Sequence, residues 1–390
     1  MAMKRAVFIH QIDNALVTDP EYPACKVNGG VVYDEQIMSM PDVIDATHTY
    51  KSVCVTTTTT TTTTKGHYMF FIFNLTNYYH FVYDTLPYLH HYLQLLKEIP
   101  SCKLLLPANC KFLKFQTDTW DILNIRTEQC IIAKHDVVYE HLYIPSSLTH
   151  GRDSVTHAWM SNSMPSSHSI WWAMCDIPPH LHVLPQKIYV SRRSWVHGDL
   201  SNIGTNYTSR RRCINEDEVV QLVQMYGYTE IFCECLTMRE KINLFKSATH
   251  VVGFIGGGMC NVLFSAPTTV VGCIETPEFL RINGRFKHSM NHTQVEYLPC
   301  TQLAPYEGPF PLYTRVKKGD IVGEIAGVQK ISEKWECILN VAKKPVAGFD
   351  LSESYYQQTE VADVLTPLDG GLNSPFVCNT NCLKKWLEMH

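Results

Sequence analysis

His80 and Asp84 stand four residues apart in NYYHFVYDTLP, a spacing that puts two side chains on one face of a helix. An imidazole beside a carboxylate can take a proton and hold it near neutral pH, which is general-base chemistry. A second group lies between Thr249 and Glu275, in THVVGFIGGGMCNVLFSAPTTVVGCIE, where Gly256, Gly257 and Gly258 separate an apolar run from a helix-like segment. The pattern reads strand, glycine turn, helix, strand. Glycines at such a turn let the backbone approach a ligand closely, and N–H groups opening a helix suit a phosphate. Glu275, at the end of the second run, is then placed to accept from a ribose hydroxyl. A third group is basic: Arg192 and Arg193 close KIYVSRR, and Arg210, Arg211 and Arg212 follow after a polar loop. Guanidinium forks near a helix N-terminus suit a diphosphate.

The elements that must carry these residues alternate. KLLLP, CIIA and HLYIP read as short strands between polar helical spacers, so the front half is α/β. From Lys187 a new set begins: KIYV as a strand, NEDEVVQLVQMYG as a helix with Asn215 N-cap-like and Glu216 in the acidic first turn, then strand, helix and strand. That order builds a parallel sheet whose ligands bind at the carboxyl ends of the strands. Pro87 bends or restarts the helix just after Asp84. Thr56 to Thr64 read equally as a strand or a loop, and Ser146 to Pro185 as a connecting segment. The expected division is an N-terminal domain over 1–185, a C-terminal domain over 186–345, and a tail over 346–390 whose last helix packs back on the N-terminal domain.

At 390 residues the chain has room for two cores, and 45% hydrophobic with 18% charged residues is a globular composition. A net charge of −4 without a basic block argues against nucleic acid as a partner. The fifteen cysteines are scattered and odd in number, which favours buried thiols over a disulfide framework. No leader or transmembrane segment is expected from AVFI near the start, and the chain is placed in the cytoplasm, where sequons at Asn74, Asn206 and Asn291 carry little meaning. The His90–His91 and His180–His182 pairs lack a third metal ligand at useful spacing, so no metal site is expected.

The glycines miss the G-x-G-x-x-G pattern, because Ile255 or Asn261 occupies a required position, and this weakens a nicotinamide or flavin enzyme. P-loop, H-E-x-x-H and G-x-S-x-G motifs are missing too. So is any D-x-D, the carboxylate pair by which many sugar transferases hold a nucleotide diphosphate through a metal.

NYYHFVYDTLP, YVSRR, RRRCINEDEVV and LTMREKINLFKSATHVVGFIGGGMCNVLFSAP, closed by IE, together resemble glycosyltransferase family 61 in co-linear order over about Asn77 to Glu275. The resemblance implies an α/β protein of the GT-B type, with two Rossmann-like domains and a cleft between them. It implies an inverting transfer from a UDP-sugar to a hydroxyl of a glycan or glycoprotein acceptor, with no tightly bound cofactor or metal. His80 and Asp84 are the expected catalytic pair, the proton-taking member left open. The expected donor-binding residues are Asn77, Arg192, Arg193, Arg211, Arg212, Asn215, Glu216, Gly256, Gly257, Gly258, Asn261 and Glu275. One departure stands out: the family segment reads H-G-A-G, and here Ile255 replaces the histidine and Gly257 the alanine. A non-catalytic sugar-nucleotide or glycan binder is the alternative this departure raises.

Overall fold

The computed structural model describes residues 9–22, 25–31, 62–145, 170–171, 173–176, 184–193, 213, 215–275, 293–302, 321–325, 328–331, 335–336 and 376–390. Two compact units divide the chain, one comprising Met1–Pro179 with Lys287–Ser289, the other His180–Phe286 with Met290–His390. Both are α/β.

In the first unit the strands are β1 (Ile9–Thr18), β2 (Lys26–Val27), β3 (Gly30–Val31), β4 (Thr62–Phe70), β5 (Lys103–Leu106), β6 (Cys130–Ile132) and β7 (Val137–Pro145). They form one sheet in the order β3-β2-β1-β7-β4-β5-β6. β7, β4, β5 and β6 run parallel, and β1 joins β7 antiparallel. Thr62 to Thr64 begin β4, so the end of the threonine run is strand, while Thr56 to Thr61 lie outside the described residues. Leu89–Glu98 (α1) and Lys114–Ile122 (α2) are the principal helices. The strand ends at Phe70 bury Phe70, Phe71 and Phe73, each at most 1% exposed, against Tyr88 and Trp120. That apolar floor anchors the segment bearing His80.

The second unit holds β8 (Lys187–Val190), α3 (Glu216–Met225), β9 (Thr229–Ile231), α4 (Met238–Ser247), β10 (His250–Phe254), β11 (Val270–Glu275) and β12 (Gln294–Gln302). A separate antiparallel sheet comprises β13 (Ile321–Ile325), β14 (Val328–Ile331) and β15 (Trp335–Glu336). β16 (Phe376–Cys378) and α5 (Thr380–Met389) close the chain. The main sheet has the order β16-β12-β11-β10-β8-β9, parallel from β9 to β12 with β16 antiparallel on the edge. In chain order the parallel strands therefore stand 2-1-3-4-5, a doubly wound sheet whose switch point falls between β8 and β10, where such sheets bind ligands.

The last helix packs into the second unit. Asn379 caps α5 by accepting from Cys382 N, and its apolar side, Leu383, Trp386 and Leu387, joins the core of the second unit with Val219, Val223 and Phe254. A Cβ on Gly272 of β11 would lie 3.0 Å from the Trp386 ring, so the indole packs directly on a bare backbone. The apolar face of a ten-residue helix goes where a matching sheet face is open, whatever the chain distance. Among the described residues no helix is long and apolar enough to cross a membrane.

Candidate functional site

In the first unit the chain leaves β4 and turns into a single helical turn, Tyr78–His80. Asn77 caps it, its side-chain oxygen accepting from His80 N at 3.4 Å, while Asn77 N donates to Asn74 Oδ1. Gln116 of α2 donates to Leu75 O at 2.6 Å and fixes the approach. Asn77 thus caps the turn that carries His80.

The helix next widens into a π-turn over Phe81–Thr85, with Leu86 N donating to Phe81 O, and passes through a 3-10 turn at Leu86–Tyr88. The cause is legible. Pro87 brings no N–H, and the Leu86 N–H is spent on Phe81 O, so Val82 O loses both its i+4 and i+5 donors. Trp171 Nε1 replaces them, donating to Val82 O at 2.9 Å from a fully buried indole. We expect Trp171→Phe to cost about 1–3 kcal/mol, the usual effect of stranding a buried carbonyl, read as a lower urea midpoint at unchanged m-value.

Within this turn His80 Nδ1 lies 2.6 Å from Asp84 Oδ2, the Asp84 side chain 0% exposed and that of His80 22%. The helix-face expectation therefore holds as a contact, although the segment is not a regular α-helix. Geometry separates the two members. A wholly enclosed carboxylate cannot meet an acceptor, whereas the partly exposed imidazole can, with its tautomer and ring angle held by Asp84.

In the second unit the switch point is built from two backbones in close contact. Gly253 pairs with Val190, and a Cβ on Gly253 would fall 2.8 Å from both Val190 Cβ and Met259 Sδ. Gly258 is equally constrained, 2.7 Å from Val190 Cγ1, and Gly256 has φ of 153°, a conformation that L side chains rarely adopt. Gly257 differs: a Cβ there meets nothing within 4 Å. We expect Gly257→Ala to leave the melting temperature within about 2 °C of wild type, since surface changes usually fall within ±0.5 kcal/mol, whereas Gly253→Ala should lower it clearly.

The helix expected after these glycines is a six-residue 3-10 turn, Met259–Phe264. A turn of this length and form supplies no α-helix macrodipole. Asn261 is fully buried and donates from Nδ2 to Gly258 O at 2.8 Å, so it shapes the turn from beneath. Ile255 is 2% exposed, its N–H extending the ladder to Ile274 O. Glu275 ends β11 one strand away, its carbonyl accepting from Cys300 Sγ.

On the β8 side, Glu216 is 2% exposed and its Oε1 accepts from Tyr189 OH at 3.0 Å, Ser191 Oγ at 3.0 Å and Arg192 N at 2.7 Å. Burial raises its carboxyl above the usual range, and the bonds from Arg192 N–H and the hydroxyls pull it partly back. Glu216 clamps the loop after β8. Arg193 is engaged as well. Its Nε and one terminal nitrogen grip Glu230 at 2.7 Å each, the other terminal nitrogen grips Asp217 at 2.7 Å, and the fork is thereby committed to carboxylates. Asn215 makes no side-chain cap on α3; its amide pairs with both backbone groups of Cys378, accepting at 2.9 Å and donating at 3.0 Å. Burial lowers the pKa of Arg192 from the usual arginine value, and the charges of Glu216 and Glu234 oppose that shift. Arg210, Arg211 and Arg212 lie outside the described residues.

The Glycosyltransferase 61 family model matches residues 78–272, half of the chain, and spans both groups of residues. The chain belongs to glycosyltransferase family 61. No curated protein matches it. As a family 61 member the chain is a glycosyltransferase, and the matched region begins at the turn carrying His80 and ends in β11. Among the described residues no group of three or more His, Cys, Asp or Glu is arranged to hold a metal ion. Two features of this transferase escaped the sequence reading. Trp171 sits in a stretch without periodicity, so nothing marked it. Lys241 was findable: Met238, Lys241, Ile242 and Phe245 share the buried face of α4, and a lysine there breaks an apolar stripe.

Proposed function

We propose that this family 61 protein is an inverting, metal-independent glycosyltransferase of the GT-B type that moves a sugar from a UDP-sugar to a hydroxyl of a glycan or glycoprotein. The observation that carries the reading is the 2.6 Å contact between a partly exposed His80 and an enclosed Asp84. It is supported by a doubly wound second unit whose switch point carries Arg192 and an unfilled space at Gly257. GT-B enzymes draw acceptor-side and donor-side groups from different domains, and here the two groups belong to separate units.

His80 takes the proton of the acceptor hydroxyl. Because Nδ1 is committed to Asp84, the proton moves through Nε2, and Asp84 stabilises the imidazolium that results. The acceptor oxygen attacks the anomeric carbon from the face opposite the diphosphate. That C–O bond forms as the bond to the β-phosphate oxygen breaks, UDP leaves with the electron pair, and the anomeric configuration inverts. Charge building on the leaving diphosphate is met by Arg192 and by N–H groups of the glycine turn. Glu275 holds the ribose. Asn77, Asn261 and Glu216 serve by fixing His80, the turn and the Arg192 loop. The lack of a D-x-D pair supports a sink made of cations and amides in place of a metal.

The stereochemistry tests this directly. A proton NMR time course on an α-linked UDP-sugar should show a β-linked product first, with release unaffected by EDTA. Retention of configuration, or loss of turnover on chelation, contradicts the mechanism. Arg192→Met should lower kcat/KM by about 10²-fold, the range seen when one preorganised donor to a developing charge is removed.

A further inference from the structure

Cys300 in β12 and Cys378 in the edge strand β16 are register partners across an antiparallel pair. Partners in such a ladder point to the same face of the sheet. Both side chains belong to the core of the second unit, Cys378 at 3% exposed and Cys300 partly buried against it. Two kinds of partner alternate along an antiparallel ladder, and the backbone bonds of Cys378 decide which kind this is. Its N–H donates to Asn215 Oδ1 at 2.9 Å, and its carbonyl accepts from Asn215 Nδ2 at 3.0 Å. Both groups therefore point away from β12, toward the side where Cys213 bridges Phe376. Cys300 and Cys378 thus form a non-hydrogen-bonded pair, the closer of the two kinds, with Cα atoms about 4.5 Å apart.

That separation lies within the span of a disulfide, about 4.4–6.8 Å between Cα atoms. Both residues are thiols in the structure, and Cys300 Sγ donates to Glu275 O at the end of β11. Burial keeps both protons on, with each pKa pushed up to about 12, so the paired strands make a slow nucleophile. Reaction belongs to the moments when β16, a three-residue edge strand, lifts from β12.

We propose that Cys300 and Cys378 are a disulfide-forming site, closed by exchange with a small disulfide of the glutathione class, that staples β16 and α5 to the body of the second unit. One thiolate attacks a sulfur of the small disulfide, forming a mixed disulfide and releasing one small thiol. The second thiolate attacks the protein-bound sulfur; the protein S–S bond forms as the mixed one breaks, and a second small thiol leaves. The two sulfhydryl protons end on the released thiols, so the chain is oxidised by two electrons and the small disulfide is reduced by two. Oxidised Cys300 has no hydrogen to donate, so closure also ends its contact with Glu275 O. The site does not depend on the sugar-donor reading.

The experiment brings the full chain to equilibrium in buffers of stepped reduced-to-oxidised glutathione ratio and blocks the remaining thiols with iodoacetamide. Each sample is mapped by mass spectrometry of a digest made without reductant, and melted in parallel. The oxidised wild type should yield a peptide pair joining Cys300 to Cys378 and melt about 5 °C or more above the reduced chain, because a bond closing so long a loop restricts the unfolded state. Cys300→Ser and Cys378→Ala should each lose both the joined peptide and the shift, whereas Cys213→Ala and Cys382→Ser should keep them. Cys300→Ser, at the partly exposed member, serves alone where Cys378→Ala does not fold. Alkylation of both residues across the whole series, or Cys378 joined to Cys213 or Cys382 instead, overturns the proposal. So does a joined peptide without a shift in melting.

Discussion

His80→Ala should slow sugar transfer by about 10²-fold or more while UDP affinity stays within twofold of wild type, because loss of a general base typically costs that much and the proposed donor groups belong to the other unit. Asp84→Asn is the sharper companion. The isosteric amide keeps the volume of a fully enclosed side chain but removes the charge that holds the imidazole and stabilises its protonated form. Its kcat should fall by about 10²-fold with KM for the donor unchanged, a split that marks an interaction made in the transition state. Asp84→Ala would add a cavity and a fold penalty, so the asparagine variant is the informative one. If both His80→Ala and Asp84→Asn turn over at the wild-type rate, the base lies elsewhere.

Glu216→Ala should produce the largest loss of stability among these variants. One oxygen accepts from Tyr189, Ser191 and the Arg192 backbone, and removing it strands three donors in a region that excludes water. At about 1–3 kcal/mol for each stranded group, partly relieved by relaxation, a total of about 3–5 kcal/mol is expected from denaturant unfolding. Activity should fall with it, because the same oxygen sets the loop that presents Arg192. Glu216→Gln keeps an acceptor in place and should cost far less. The pH dependence has a definite sign. Burial raises the folded-state pKa of Glu216, so its stabilising contribution is present below the unfolded value and is lost as pH rises through the folded one. The stability of Glu216→Gln relative to wild type should therefore improve as pH rises through that window. A gap that widens instead would mean that Glu216 is held anionic by its partners.

The residues that were legible in the sequence are those whose partners lie nearby in the chain. His80 and Asp84 are four apart, and their contact survived even though Pro87 and the π-turn altered the helix between them. The glycine run announced a strand-to-turn junction for the same reason, and β10 and β11 follow it closely. What the pattern could not show was how near Val190 would press on Gly253 and Gly258, or that the segment after Gly258 would be a 3-10 turn. Asn215 and Arg193 have partners that the sequence did not show. Asn215 stands before an acidic first turn, as a cap should, yet its amide is taken by Cys378, 163 residues on. Arg193 looked like a phosphate fork until Glu230 and Asp217 appeared beside it. The partner of the last helix was not legible because amphipathicity tells that a face is buried and not against what; within the second unit that face meets Gly272 and the core around Trp386.

The most direct measurement is nucleotide release from UDP-sugars in the presence of EDTA, comparing wild type with His80→Ala under saturating donor and a panel of glycan acceptors. The account predicts acceptor-dependent UDP release by the wild-type chain that chelation does not touch, and a fall of about 10²-fold in the variant at unchanged UDP affinity. Equal release by the two proteins, or release that disappears with the metal, would contradict it.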